Sequence, residues 1–270
     1  MYCQKIIPIT NLPFSQDYFF YYSPSKLPIG SVVEINLKNK NCVGLVLANF
    51  SVLKNKKIIK KIPYPLKKIN EVIIDFPIIN SSLFQLAKFI SRYYYCSLPL
   101  ALKTILPSNL KRFLKFLKKE PIENTFSLNK SAEIIDFNKI NFSEINDLKI
   151  IKEKVDSLSL NSQVLFLTPT LFHLKYFQEK FPKGTIFQKK DRKSFKIFKE
   201  ALEGKPLLIL GTRSAVFLPF LNLKLIIVNE PENPSYKSWK QKPFYHSSKI
   251  AQKLSLYHQA ELIFCSPYDT

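Results

Sequence analysis

Leu223–Lys237 reads LKLIIVNEPENPSYK. An apolar run fills its first half and breaks off at the polar tetrad Asn229-Glu230-Pro231-Glu232. A continuous apolar run of strand length marks a strand buried on both faces, the kind found in parallel sheets. The flanking sequence repeats the pattern. QVLFLTP (163–169), PLLILGT (206–212) and ELIFCS (261–266) read as further strands, alternating with helical segments over 171–181, 191–203 and near 244–258. Such alternation predicts a parallel sheet covered by helices. In nucleotide-hydrolysing proteins built this way, the metal-binding carboxylates sit at the C-terminal end of a buried strand, where this tetrad lies. Position 229, however, carries an amide.

The phosphate loop such a site requires is missing as well. Backbone N–H groups cradle phosphates only where glycines let the backbone come close, with Lys and Ser or Thr following. The five glycines are 30, 44, 184, 204 and 211, so none lies between 45 and 183, ahead of the QVLFLTP strand. Gly204-Lys205 is followed by Pro206 and opens a strand, the reverse of the order a phosphate loop needs. Asn229 cannot supply the magnesium-binding charge, although Glu230 remains beside it. The sequence therefore predicts a strand end that has lost hydrolytic chemistry, with Asn229 and Glu230 as vestiges and no catalytic residue.

The chain of 270 residues is long enough for two domains. Lys and Arg number 41 against 20 Asp and Glu, a formal charge of +21. That field attracts polyanions, nucleic acid first and an anionic membrane second, although a compositional bias toward lysine accounts for part of it. Cys3, Cys42, Cys96 and Cys265 form no C-x-x-C pair, so neither zinc nor a disulfide framework is expected. His173, His246 and His258 lack metal or catalytic spacing and read as structural. The N-terminus has no signal-peptide core and no run reaches membrane-spanning length, which predicts a cytoplasmic protein without a membrane partner.

Residues 1–108 have a different rhythm. SVVEINL (31–37) and CVGLVLANF (42–50), separated by KNKN, read as an antiparallel hairpin. In SSLFQLAKFISRYYY (81–95), Leu83, Leu86, Ala87, Ile90 and Tyr94 follow helical spacing, with Ser81 and Ser82 as candidate N-caps. The fold class is thus α+β followed by α/β: a small β-rich N-terminal domain (1–108), a helical or irregular connector (109–160) and a parallel-sheet half-domain (161–270). Within the connector, NLKRFLKFLKKE reads as a basic amphipathic helix, and a second helix is expected over SEINDLKIIKEKVDSL (143–158).

Three stretches of the second half resemble the primosomal protein N′ (PriA) family of replication-restart helicases. Gly211–Pro219 (GTRSAVFLP) is similar to that family's GTRSA-x-F-x-P segment, and LIIVNEPENPSYK to its LIVVDEEHxxSYK, with Ser235, Tyr236 and Lys237 kept. PFYHSSKIA (243–251) is similar to PRYHARDxA, and CSPYDT (265–270) sits where the family has GSATPS, with Ser266 matching. The first half resembles the same family independently, through ISRYYYCSLPLALKTILP (90–107), KKINEVIID (67–75) and FFYYSPSKLPIGSVVEINLKNKNCVGLVL (19–47). Residues 109–160 are largely unmatched.

The resemblance implies a 3′ DNA-binding domain followed by a degenerate first RecA-like helicase lobe, with DEEH replaced by NEPE. The family's second lobe and zinc-binding cysteines are expected to lie beyond this sequence or to be lacking. By the same resemblance, a pocket for a 3′ strand end falls on Phe19, Phe20 and Tyr21, with Lys67 or Lys68 as the pocket lysine and Phe20 in place of a polar residue. Two of the four rings of FFYY are expected in the core, leaving Tyr21 or Phe19 to line the pocket. Thr212 and Arg213 fall on a segment that contacts the single-stranded backbone in such helicases, and a pairing of Arg213 with Glu230 or Glu232 is the competing expectation.

Independently of the family, KNKKIIKKIPYPLKK (54–68) carries seven lysines and no acid, which makes Lys54, Lys56, Lys57, Lys60 and Lys61 candidate phosphate contacts. Weaker candidates are Lys111, Arg112, Lys115, Lys118 and Lys119, and Lys189, Lys190, Arg192 and Lys193. Trp239 is expected on the surface, where it could stack a base. The leading expectation is a DNA-binding protein of replication restart that recognises forks, single strands and 3′ ends, acts with restart partners and needs no cofactor. The first competitor is an ATP- and Mg-dependent 3′→5′ helicase whose missing motor parts come from elsewhere. The second is an interaction protein whose charge is only compositional.

Overall fold

A computed structural model describes residues 1–122, 142–191 and 193–266. The Asn-rich part of the connector, Arg192 and the last four residues of CSPYDT lie outside them.

The N-terminal part is a six-stranded mixed sheet in the order β5-β2-β1-β4-β3-β6. Its strands are β1 (Tyr2–Pro8), β2 (Phe19–Ser23), β3 (Val32–Leu37), β4 (Lys40–Ser51), β5 (Lys67–Lys68) and β6 (Glu71–Ile74). The expected hairpin is β3–β4. Lys38 and Asn39 turn it with φ of 49° and 63°, the double positive φ whose twist matches the flanking strands. The lysine run forms a short helix, α1 (Lys56–Lys60), and then β5, which pairs in parallel with β2.

Three helices follow: α2 (Ser81–Tyr93), α3 (Leu98–Ile105) and α4 (Leu110–Lys119). The N-cap of α2 is Asn80 rather than Ser81 or Ser82. Its side chain accepts from Leu83 N at 2.9 Å and donates to the Phe220 carbonyl of the second half. A carboxamide serves both roles at once, whereas a serine at 81 would sit inside the first turn. Leu83, Leu86, Ala87 and Ile90 are buried as their spacing predicts. The basic helix α4 buries Phe113, Leu114 and Leu117, and Phe113 packs on Phe195 and Phe198 of a later helix at ring distances of 5.4 and 5.0 Å.

The second sheet has six parallel strands in the order β7-β12-β11-β8-β10-β9. They are β7 (Phe142–Glu144), β8 (Gln163–Leu167), β9 (Thr185–Phe187), β10 (Leu207–Gly211), β11 (Leu223–Asn229) and β12 (Glu261–Cys265). Helices α5 (Leu148–Ser159), α6 (Leu171–Lys180), α7 (Ser194–Leu202) and α8 (Ser247–His258) connect them. β8 is buried throughout, Val164–Leu167 as the apolar run predicts and Gln163 with its carboxamide donating to the Ala201 carbonyl and accepting from Leu221 N–H. The helix expected from residue 143 starts only at 148, where Asp147 caps it. Residues 142–144 are instead an edge strand on β12, a pairing that local sequence does not encode.

One apolar cluster runs from Val32 and Leu45 of the first sheet through α2, α3 and α4 to Leu165, Ile209 and Ile226 of the second. No helix is long and apolar enough to cross a membrane among the described residues.

Candidate nucleic-acid interface

The alternation of β2 decides which rings of FFYY can reach a ligand. Residues directly opposite on neighbouring strands share a face. Phe20 lies opposite Lys5, whereas Phe19 and Tyr21 lie opposite Ile6 and Gln4. Tyr21 is therefore part of the core, 4% exposed and packed with Ile6, Val33, Ile35 and Val46. Its hydroxyl donates to the Asn36 carbonyl at 2.9 Å, and burial, with Cys42 and Tyr64 adding, pushes its pKa up to about 12. Phe19 is half-buried against the same cluster, 6.0 Å from the Tyr64 ring. The expectation that Tyr21 or Phe19 lines a pocket is corrected for Tyr21, the one ring of the four that is fully in the core; Phe19 and Phe20 are both half-buried, on opposite faces of β2.

On its own face Phe20 meets Tyr18 edge-on at 5.6 Å and Phe50 at 6.3 Å, and the Lys5 ammonium stands 3.7 Å over the Tyr18 ring. Tyr18 is 43% exposed. The backbone N–H of Phe20 is taken by the Tyr64 hydroxyl at 2.9 Å. Sequence reading missed Lys5, Tyr18, Phe50 and Tyr64. Their signal is spread over four segments that only sheet pairing brings together.

Lys67 and Lys68 are both exposed on β5, in register with Tyr21 and Tyr22. The Lys67 ammonium donates to the Asn36 side chain at 3.3 Å, so this lysine and Tyr21 meet on the same asparagine. Lys54, Lys56, Lys57, Lys60 and Lys61 are all exposed on or beside α1, and none pairs with an acid among the described residues. Lys111, Arg112, Lys115, Lys118 and Lys119 line the exposed side of α4, where Lys118 is held by Glu71 at 3.1 Å. Lys190 and Lys193 are exposed just ahead of α7 rather than within a helix, because the helix starts at Ser194. Lys189 differs from both. It donates to the Thr104 carbonyl at the end of α3, and burial lowers its pKa to about 8. It ties the two halves together and is not a surface phosphate contact.

At the C-terminal edge of the second sheet, the β8–α6 turn is only Thr168-Pro169-Thr170. Thr168 N–H donates to the Gly211 carbonyl at 2.9 Å, Pro169 has no N–H, and Thr170 caps α6 and contacts His173 Nδ1 at 2.7 Å. His173 Nε2 in turn lies 3.3 Å from Glu230 Oε1, and Glu230 Oε2 accepts from Asn233 at 2.7 Å. Asn229 is fully buried, and its carbonyl accepts from the Tyr236 hydroxyl at 2.7 Å. ATP and magnesium do not fit these residues. The turn offers no cradle of backbone donors, position 229 carries no charge, and the remaining carboxylate is engaged by His173 and Asn233.

Residues 7–107 match the family model of the 3′DNA-binding domain (3′BD) of PriA. The replication restart protein PriA of Rickettsia typhi is 27% identical over 284 aligned residues, covering 97% of this chain and 42% of that protein. Its counterpart in Rickettsia prowazekii has the same identity and coverage. That of Helicobacter pylori strain J99 is 28% identical over 250 residues, covering 87% of this chain and 38% of the relative. The chain is thus similar to PriA proteins over most of its length, with a PriA-type 3′DNA-binding domain matched over residues 7–107. It spans about two fifths of the length of these PriA relatives.

The PriA-like GTRSA segment starts at the end of β10 and turns into a 3₁₀ helix, Arg213–Phe217. Thr212 is half-buried at its start. Arg213 pairs with neither Glu230 nor Glu232. Its guanidinium donates to the Lys237 carbonyl at 3.0 Å, and its own carbonyl accepts from Ser247 at 3.0 Å. This arginine thus joins the GTRSA and SYK segments and the start of α8. Trp239 is 67% exposed, with its indole N–H on the Pro234 carbonyl at 3.1 Å.

Proposed function

We propose that this chain binds DNA at forks and 3′ strand ends in replication restart, and that it does so without hydrolysing ATP. The observation that carries the reading is the match of residues 7–107 to a 3′DNA-binding domain, on a sheet that presents Phe20, Tyr18, Phe50 and Lys5 on one face. Rings beside unpaired cations suit single-stranded nucleic acid, since bases stack on the rings while ammonium groups meet phosphates. Lys67, Lys68 and the α1 lysines supply the second element. With Tyr21 engaged in the core, the terminal nucleotide would meet Phe20 and Lys68, which pairs with Tyr22 on the same face of β2, and Thr212 and Arg213 would guide the strand over the second sheet.

The short β8–α6 turn and the His173–Glu230–Asn233 contacts support DNA binding that needs neither ATP nor magnesium. A second reading, a 3′→5′ helicase completed by motor parts from elsewhere, draws on the retained GTRSA and SYK segments. Phosphate release from Mg-ATP in the presence of forked DNA separates the two. The reading expects no release above the protein-free background. DNA-stimulated release that is lost in Glu230→Gln would replace it with the helicase reading. Replication-restart proteins are the expected protein partners.

A further inference from the structure

Helix α2 carries SSLFQLAKFISRY and helix α8 carries SSKIAQKLSLYH, with no acidic residue in either. The two helices pack together although they belong to different halves of the chain. Lys253 of α8 stands 5.3 Å over the Phe89 ring of α2, and Phe89 stacks on Tyr93 at 5.1 Å and 25°. Arg92, one residue away, is exposed and close enough to Tyr257 to oppose the effect of burial on that phenol. Lys249 is exposed one turn before Lys253, and neither it nor Arg92 pairs with an acid among the described residues.

Tyr95 adds an observation of a different kind. It occupies the position after the helix cap, with φ of 48° and Cys96 N–H returning to the Ser91 carbonyl at 3.0 Å. Helix ends of this form favour glycine there, and a bulky side chain is strained. The strain brings no burial in return: Tyr95 is 84% exposed, Tyr93 is 54% exposed, and Phe14, 6.5 Å from Tyr95, is 58% exposed. An unburied ring on a strained backbone is the kind of feature that concentrates at ligand sites.

We propose that the α2–α8 face, with Tyr93, Tyr95 and Phe14 as stacking surfaces and Arg92, Lys249 and Lys253 as phosphate contacts, is a second binding site for single-stranded DNA, separate from the 3′-end pocket. Single-stranded rather than duplex DNA is the occupant, because a duplex hides its base faces and leaves the rings unused. The inference rests on the DNA-binding reading above and extends it. It also gives the second sheet a role that needs no nucleotide, since a strand lying here is held by both halves at once.

The test uses the full chain and a labelled oligothymidylate of about 20 nucleotides ending in 3′-phosphate, which removes any contribution from 3′-hydroxyl capture. The variants are Tyr95→Gly with Tyr93→Ala, and Arg92→Glu with Lys249→Glu. Glycine relieves the positive φ at 95, so Tyr95→Gly alone should melt no lower than the parent, and weakened binding cannot then be put down to unfolding. Each pair should weaken binding to the blocked strand at least fivefold while leaving the ratio of affinities for 3′-hydroxyl and 3′-phosphate forks unchanged. A loss below fivefold in both pairs would overturn the proposal. Loss of the 3′-hydroxyl preference in the parent would strike the end-capture reading instead.

Discussion

A single methyl group at position 211 would overlap the side chain of Ala215, one turn along the 3₁₀ helix. The glycine that opens the GTRSA segment is therefore a packing requirement at the end of β10. Gly211→Ala should cost about 1–3 kcal/mol, read as a lower urea midpoint, and Ala215→Gly in the same chain should recover part of it. A second residue sets an acid limit. Burial, with Lys224 adding, depresses His258 from 6.5 to about 4. An imidazole kept neutral in the folded chain but free to protonate in the unfolded one removes no stability above pH 6.5, and progressively more as the pH falls toward 4. The loss should reach on the order of 3 kcal/mol, and His258→Gln should flatten that part of a pH series of urea unfolding curves. At this scale legibility was uneven. The buried positions Val164–Leu167 of β8 could be read directly from an unbroken apolar run. The choice between Phe20 and Tyr21 could not, because FFYY has no polar residue to mark its faces, and pairing with Lys5 and Gln4 makes the choice.

Among the elements, α2 bridges the two halves of the chain. Asn80 caps its first turn and holds the Phe220 carbonyl of the other half. The Tyr94 hydroxyl at its end accepts the His246 N–H at 3.0 Å, next to the start of α8. Asn80→Ala removes the cap and leaves a buried carbonyl without its donor, so it should destabilise the chain by about 2–3 kcal/mol in denaturant unfolding. Asn80→Ser keeps the cap but not the reach to Phe220 and should fall between. The α2 helix was legible from its 3.6-residue spacing, and the β3–β4 hairpin from alternation around KNKN. The edge strands β7 and β9 were not, since three-residue strands carry too little pattern and exist through pairing with β12 and β10. Lys189 misled for a related reason. A lysine between basic neighbours reads as surface charge, and only the fold brings α3 over it.

Across the whole molecule, the continuous core through α2, α3 and α4 and the Lys189 tie to Thr104 join the two sheets. The chain should accordingly unfold in one transition, with tryptophan emission at Trp239 in the second half and far-UV ellipticity giving the same midpoint. Separate midpoints would show two independent units. The resemblance to PriA was legible because the motifs that carry it are short and contiguous, as in GTRSA and SYK. The lack of glycine ahead of β8 could be read directly, and a phosphate loop needs glycine for its backbone to approach phosphate. The three-residue turn with His173 on Glu230 was hidden because the two residues lie 57 positions apart and meet only at the sheet edge.

The central claim is that the chain captures DNA ends without a working motor. Its most direct test is fluorescence anisotropy of a fork with a 3′-hydroxyl leading strand against the same fork ending in 3′-phosphate, at two salt concentrations, with and without Mg-ATP. The account predicts tighter binding to the 3′-hydroxyl fork, affinity that falls steeply with salt, and no change on adding Mg-ATP. Equal affinity for the two ends, or a shift on adding Mg-ATP, would contradict it.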